Sequence, residues 1–196
     1  MKLALEERVQ RMKRTLAIIS CIFVLTTGCS QKEKIKTINE AKVEDLQKYK
    51  ETLVGNNSAI SSIVNSLPGG STYKEIELSD QSIKVVYGIK TDRENLNKDE
   101  LNTYWLNDNN IENNFLYNAT AIFILVKNVQ RVTLELESEK YYSFSISREE
   151  LIKELPHSLD EYVKNKKLWE DDILNNLIMK KEKREEFFKK YPVKQR

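Results

Sequence analysis

The sequence predicts an α+β fold, in which an antiparallel sheet built from two β-hairpins packs with helices in an order close to ααββαββαα. Two observations predict this class. Two pairs of short segments alternate apolar and polar residues, and helical apolar spacing occurs before, between and after these pairs. With 40% hydrophobic and 32% charged residues, the 196-residue chain has the composition of one folded domain with a solvated surface.

Two short helices are predicted at the start of the folded body. Apolar residues at helical spacing begin near Asn39, and Gly55 marks the end of this first helix. Asn56, Asn57 and Ser58 are candidate N-caps of a second helix, which ends at the following Pro-Gly-Gly turn.

Two hairpins supply the predicted strands. The first pairs "YKEIELS" with "SIKVVYGI", and the second pairs "VQRVTLELE" with "YYSFSISR". A helical turn at "DELNTYWL" and a longer helix at "IENNFLYNATAIFILVKN" lie between them. This order is consistent with two αββ units.

The C-terminal part is predicted to be helical. Ser147 and Glu150 have the spacing of a capping box, which predicts a helix through Leu155. A charged final helix is predicted from about Leu159 onward. Its apolar residues thin out after Met179, so we expect its last turns to project into solvent.

An export signal is predicted at the N-terminus. Basic residues up to Arg14 precede an uncharged stretch from Thr15 to Gln31, and small polar residues follow the apolar centre. That centre, "TLAIISCIFVL", would cross about half of a ~30 Å hydrocarbon core, so it is short for a permanent membrane helix. Met12 is an alternative start to Met1, because the preceding segment adds acidic residues that are rare in such signals.

The stretch "LTTGCS" resembles the lipobox of bacterial lipoproteins. By that resemblance Cys29 receives a diacylglycerol thioether, carries acyl chains such as palmitate, and becomes the first residue after cleavage behind Gly28. Thr26 departs from the pattern, which usually has leucine three positions before the cysteine. The alternative is an uncleaved membrane helix through Gln31, and both readings place residues 32–196 outside the cytoplasmic membrane.

The predicted organisation therefore has four parts: a removed signal peptide at 1–28, a lipidated tether at 29–37, an α+β domain at 38–158 and a C-terminal charged helix at 159–196. The whole chain carries a net charge of +2, and residues 1–28 contribute +3 of it, which leaves −1 for the mature protein. A nearly neutral body argues against nucleic acid as a partner.

Three stretches of the body resemble a known family. "LVGNNSAISSIVNSLP", "IELSDQSIKVVYGI" and "NATAIFILVKNVQRVTLEL" are similar to an uncharacterised domain of unknown function in lipoproteins of Gram-positive bacteria. The same domain occurs outside the membrane in some relatives of antirepressor-type metallopeptidases. The resemblance covers about Lys48 to Leu155, and the two glycines after Pro68 depart from it. It implies an extracytoplasmic location and no known activity.

No cofactor, metal site or catalytic residue is predicted. The only cysteines, Cys21 and Cys29, belong to the N-terminal segment. His157 is the single histidine and has no second histidine for a metal. Neighbouring carboxylates, such as Glu149 with Glu150 and Asp171 with Asp172, fit polar helix faces or first turns. The oxygen-rich "DNNIENN" lacks the glycine and the final glutamate of a calcium loop.

The leading hypothesis is a membrane-anchored extracytoplasmic module that binds or senses an envelope protein or peptide without catalysis. Asn56, Asn57 and Ser58 are the candidate contact residues, because a helix N-terminus presents free donors; the alternative is that they only cap the helix. A small cell-envelope hydrolase using His157 is the rival from another class. A solute-binding accessory of a transporter is a third hypothesis, disfavoured because such receptors usually need two lobes and more chain.

Overall fold

The computed structural model describes residues 34–90 and 96–196. Cys29, the export signal and most of the predicted tether lie outside the described residues. The described body has helices packed on a five-stranded sheet, so the predicted α+β class is confirmed. The helices are α1 (Val43–Gln47), α2 (Asn57–Ser66), α3 (Lys98–Trp105), α4 (Asn110–Leu125), α5 (Arg148–Ile152), α6 (Leu159–Lys164), α7 (Lys166–Leu168), a π-helix (Trp169–Ile178) and α8 (Lys181–Lys190), with two 3-10 helices at Ile38–Glu40 and Gly70–Thr72. The strands are β1 (Tyr73–Ser79), β2 (Ser82–Tyr87), β3 (Arg131–Glu137), β4 (Tyr141–Ser147) and β5 (Lys194–Gln195).

Both predicted hairpins are present, but the sheet is mixed. The strand order is β1-β2-β3-β4-β5, and the β1–β2 and β3–β4 pairs are antiparallel as predicted. The two hairpins join through β2 and β3, which run parallel with Ser82 opposite Arg131. The expectation of a purely antiparallel sheet is therefore wrong at this join. The chain between β2 and β3 is long enough, with α3 and α4 in it, to return to the end of the sheet where β2 began.

The first helix is shorter than the spacing predicts. It ends at Gln47 and does not continue to Gly55. The Thr52 N–H donates to the Leu125 carbonyl at 3.1 Å, and the Lys127 N–H donates to the Thr52 carbonyl at 2.8 Å. Long-range pairing thus uses backbone groups that a longer helix would have needed.

The helix α4 forms the centre of the core. All twelve residues from Asn114 to Leu125 are buried, and the inward side chains of β2, β3 and β4 belong to the same apolar cluster. The capping box of Ser147 and Glu150 is confirmed, although α5 ends at Ile152.

The C-terminal region folds back onto the core. Its predicted single helix is broken near Asn165, whose side chain caps α7, and at Lys180, which has an extended backbone. Phe187 and Phe188 are buried, with ring centroids 6.3 and 5.6 Å from that of Phe144 on β4. The expectation that the last turns project into solvent is therefore wrong.

The Pro-Gly-Gly turn belongs to a buried polar cluster. Gly69 has φ 71° and faces the Trp105 ring, where an added Cβ would lie 2.4 Å from a ring carbon. The Asn118 side-chain amide donates to the Pro68 carbonyl at 2.9 Å, and the Trp105 indole N–H donates to the Thr72 hydroxyl at 3.0 Å. The turn is thus fixed from several sides.

The helix α4 gives the body two ends, about 24 Å apart for a 16-residue helix. We call the end near its N-terminus the Lys36 end, which comprises residues 34–37, 66–72 and 98–110. We call the end near its C-terminus the Leu53 end, which comprises residues 51–58 and 125–131. Helix α2 begins at the Leu53 end and finishes at the Lys36 end, where the Ser66 carbonyl accepts from the Lys36 ammonium at 3.2 Å.

Candidate functional site

A shallow, open depression of about 820 Å³ lies at the Leu53 end. We call it the Leu53 depression, and it includes all three residues that the sequence predicts as contacts. It is lined by Lys50, Glu51, Thr52, Leu53, Gly55, Asn56, Asn57 and Ser58.

Backbone contacts hold the depression against the end of α4. Besides the two hydrogen bonds of Thr52 with Leu125 and Lys127, the Val54 N–H donates to the Asn128 side-chain oxygen at 2.8 Å. Glu51, directly before Thr52, has φ 64°, a left-handed backbone value that is uncommon for a residue other than glycine. The segment that forms the depression is therefore anchored to the core and is not a separate loop.

The three predicted contact residues have different surroundings. The Asn56 side-chain oxygen accepts from the Ala59 N–H at 3.1 Å, so Asn56 is the N-cap of α2. Asn57 and Ser58 are exposed, and the Ser58 carbonyl accepts from the Ser62 hydroxyl at 2.9 Å. Capping thus accounts for Asn56, while the side chains of Asn57 and Ser58 face solvent.

Leu53 adds an apolar element that the sequence reasoning missed. Its side chain is 52% exposed, although helical spacing places it on the buried face of a longer α1. Nearby, the Lys127 ammonium donates to the Glu51 carboxylate at 2.9 Å. The depression therefore combines an exposed leucine, amide and hydroxyl groups and an ion pair, a mixture that suits a peptide or protein surface.

A second cavity of about 360 Å³ lies beside the N-terminal end of α4. Burial raises the pKa of the Glu112 carboxyl group, and the Arg184 Nε lies 3.7 Å from one of its oxygens. Arg184 is buried, and its Nη1 donates to the Ile178 carbonyl at 2.8 Å. This pair links α8 to α4, so we assign it a structural role. The cavity is lined by Trp105, Leu106, Asp108, Asn109, Ile111, Glu112, Tyr142, Val193 and Gln195.

The structure brings His157 between two carboxylates, which sequence spacing alone did not predict. Its Nδ1 lies 3.6 Å from a Glu161 oxygen and its Nε2 lies 3.6 Å from an Asp172 oxygen. The Tyr162 hydroxyl donates to the same Asp172 oxygen at 3.3 Å. The neighbouring Ser158 hydroxyl donates to Glu161 at 2.7 Å as part of a capping box. The arrangement can orient an imidazole, as acid–base sites require.

The other carboxylate pair is not brought to His157. Glu150 accepts hydrogen bonds from the backbone N–H and the hydroxyl of Ser147, both at 2.7 Å, and Glu149 pairs with Lys153 at 2.8 Å. Across residues 34–90 and 96–196, no three histidine, cysteine, aspartate or glutamate side chains are grouped so that they could hold a metal ion. Within the same ranges, no helix has the length and apolar character needed to cross a membrane.

Fold and depression together define a small α+β domain with an open, mixed-polarity surface at one end of its central helix. Residues 46–147 match the family model of a domain of unknown function, DUF4825. The match covers more than half of the chain, and the chain belongs to this family. The predicted resemblance to an uncharacterised domain is thereby confirmed. No curated protein matches the chain, and no solved structure does.

The family match contains the Leu53 depression, both hairpins and α4. It ends at Ser147, the last residue of β4, so α5 to α8 and β5 lie beyond it. The cluster around His157 is therefore outside the matched region, whereas the depression is inside it.

Proposed function

We propose that this chain is a membrane-anchored extracytoplasmic lipoprotein whose DUF4825 domain binds or senses an envelope protein or peptide without catalysis. The observation that carries the proposal is the N-terminal order of basic residues, an apolar centre and the lipobox-like "LTTGCS". The proposal also holds that this domain occurs in lipoproteins of Gram-positive bacteria and in some relatives of antirepressor-type metallopeptidases.

A lipid on Cys29 supplies the anchoring energy. Each buried methylene contributes about 0.8 kcal/mol, and one acyl chain gives only marginal, reversible binding. A diacylglycerol thioether carries two chains, which hold a protein stably on a bilayer. The lipid therefore makes a membrane-spanning helix unnecessary for attachment.

The Leu53 depression is the proposed contact surface. Leu53 offers apolar area to a partner side chain, and the exposed groups of Asn57 and Ser58 can hydrogen-bond to a peptide backbone. Because the backbone around Thr52 is tied to α4, this surface binds with little loss of conformational entropy.

Lipidation is tested by replacing Cys29 with serine in the full chain. We expect Cys29→Ser to shift the protein from the membrane fraction to the soluble fraction or to leave it as an unprocessed precursor. Mass spectrometry of the wild-type protein should find the lipid on Cys29 as the first residue. Cys21→Ser is the matched control and should leave the anchor unchanged. An unmodified Cys29 within an uncleaved chain contradicts lipidation.

Partner binding is tested by a charge on the proposed surface. Photo-crosslinking in intact cells, with the probe in place of Asn57, should capture an envelope protein or peptide, and Leu53→Asp should abolish the capture. Met179→Asp is the matched control, because Met179 is also exposed, at 41%, but lies in the C-terminal region. Equal capture by both variants contradicts the assignment of the depression.

A small cell-envelope hydrolase is the second candidate, favoured by the position of His157 between Glu161 and Asp172. The purified full chain would then hydrolyse wall or peptide substrates. His157→Ala and Asp172→Asn should abolish the activity, whereas the neighbouring Asp171→Asn should preserve it. Activity that survives His157→Ala removes this candidate.

A further inference from the structure

We propose that the chain is held with its Lys36 end towards the outer face of the cytoplasmic membrane and with the Leu53 depression facing away from the lipid. This inference rests on the proposed anchoring and adds an orientation to it. Three properties of the chain favour this orientation: it enters the folded body at Lys36, the segment before Lys36 is short, and the two ends of the body are far apart.

The chain is already fixed to the body at Lys36. The Lys36 carbonyl accepts from the Gly69 N–H at 2.9 Å and from the Tyr104 hydroxyl at 2.8 Å. Two residues later, Ile38 is buried in the core. Residues beyond Lys36 therefore belong to the domain, and none of them extends the tether.

The remaining tether is short. Seven residue steps separate Cys29 from Lys36, and even a fully extended chain spans at most about 25 Å over seven steps. If the alternative anchor, a membrane helix through Gln31, is correct, five steps remain and the limit is about 18 Å. Both limits are independent of the conformation of the segment.

The body is larger than this reach. A compact domain of about 160 residues has a radius of gyration near 15 Å, which corresponds to a sphere about 40 Å across. Turning the Leu53 end towards the lipid would raise Lys36 above the membrane by at least the length of α4, about 24 Å. The lipidated tether would have to be almost fully extended to reach that height, and the five-step tether of the alternative anchor could not reach it. Inversion therefore costs conformational entropy and is disfavoured, whereas tilting remains allowed.

The Leu53 depression lies at the opposite end of α4 from Lys36. The Asn110 side-chain amide donates to the Tyr104 carbonyl at 2.7 Å at the first turn of α4, and the Thr52 N–H donates to Leu125 at its last residue. These two contacts are separated by the length of α4, about 24 Å. The partner surface is thus presented to the wall or to the medium, and not to lipid.

The test compares the heights of two labels above the bilayer. The full chain is purified from membranes as Thr103→Cys or Gln130→Cys, two exposed positions at the Lys36 end and the Leu53 end. Each variant receives one maleimide fluorophore and is reconstituted in vesicles that contain acceptor-labelled lipid. We expect stronger energy transfer from position 103, equivalent to a height difference of roughly 20 Å. Equal transfer, or stronger transfer from position 130, overturns the proposal.

A longer tether provides the second measurement. Twenty Gly/Ser residues inserted between Lys32 and Glu33 add a flexible coil of about 25 Å root-mean-square length, which permits inversion. The height difference should then collapse. If it persists unchanged, the tether does not orient the body and the mechanism is wrong.

Failure of the orientation is distinguishable from failure of lipidation. In the wild-type chain, reaction of Cys29 with maleimide shows directly that the lipid is missing. In that case the heights of the two labels are measured in a Cys21→Ser, Cys29→Ser background, in which the uncleaved helix holds the chain in the membrane. A chain that is absent from the membrane fraction overturns both proposals.

Discussion

Gly70→Ala is predicted to destabilise the fold through one identifiable steric clash with the backbone. An added Cβ would lie 2.2 Å from the Val64 carbonyl oxygen and 2.7 Å from that of Asn65. Both oxygens belong to the backbone at the end of α2, so no side-chain rotation can relieve the contact. The turn itself cannot shift freely, because the Asn118 amide holds the Pro68 carbonyl.

The expected cost is at the upper end of the range for overpacking. Extra atoms in a packed core lower the free energy of unfolding by about 1 to 3 kcal/mol. Because the added Cβ meets backbone atoms that cannot move aside, we expect a loss of about 3 kcal/mol. For a domain of this size, that corresponds to a melting temperature lower by about 6 to 12 °C. The Gly69 N–H that fixes Lys36 lies in the same turn, so the Lys36 end should loosen as well.

The assay is urea unfolding of the full chain, followed by circular dichroism, with thermal melting in parallel. Gly55→Ala is the matched control, since an added Cβ at Gly55 meets no atom within 4 Å. Its free energy of unfolding should change by less than about 0.5 kcal/mol. If both variants have the same midpoint, or if Gly70→Ala loses less than about 1 kcal/mol, the steric reasoning is wrong.

Three further perturbations test other parts of the fold. Arg148→Ala should lower the free energy of unfolding by about 3 kcal/mol in urea, because its guanidinium donates to two carbonyls at the end of α4 and to the Val129 carbonyl after it. An unchanged midpoint contradicts this. Phe187→Ala should cost about 3 to 5 kcal/mol in the same assay, whereas a solvent-projecting helix would lose almost nothing. Hydrogen bonds from the Ser147 hydroxyl and N–H hold the pKa of Glu150 below its ordinary value of 4.5. The ionised Glu150 carboxylate therefore stabilises the fold above about pH 4.5, and this contribution is lost as the pH falls through the lowered pKa. Glu150→Gln should therefore lose less stability than Glu149→Gln when acid unfolding is followed from about pH 5 to about pH 3, and parallel curves contradict this.

Local chemistry explains why most elements were predictable. The turn between β1 and β2 places Asp80 and Gln81 at positive φ, and the flanking alternation sets which residues face the core. Asn56 caps α2 as its position before an apolar face predicts. Ser147 and Glu150 make the reciprocal contacts of a capping box. Each of these signals depends on residues only a few positions apart.

The errors concern groups that are distant along the chain. Leu53 is exposed because Thr52 pairs with residues more than seventy positions later. Phe187 is buried because breaks at Asn165 and Lys180 return α8 to the sheet. His157 meets Asp172 for a related reason, since the π-helix passes beside the loop before α6. Spacing along one helix carries no information about such contacts.

By itself, the sequence determined the class of fold, the two hairpins, the central helix and the N-terminal pattern that predicts an address outside the cytoplasmic membrane. Only the tertiary structure decided that the hairpins join in parallel, that the C-terminal helix completes the core, and that Leu53 lies beside Asn57 at the end of α4 remote from Lys36. The physical reason is range. Caps, turns and alternation act over a few residues, whereas strand order, burial and the placement of a surface relative to Lys36 depend on packing between segments that the sequence keeps far apart.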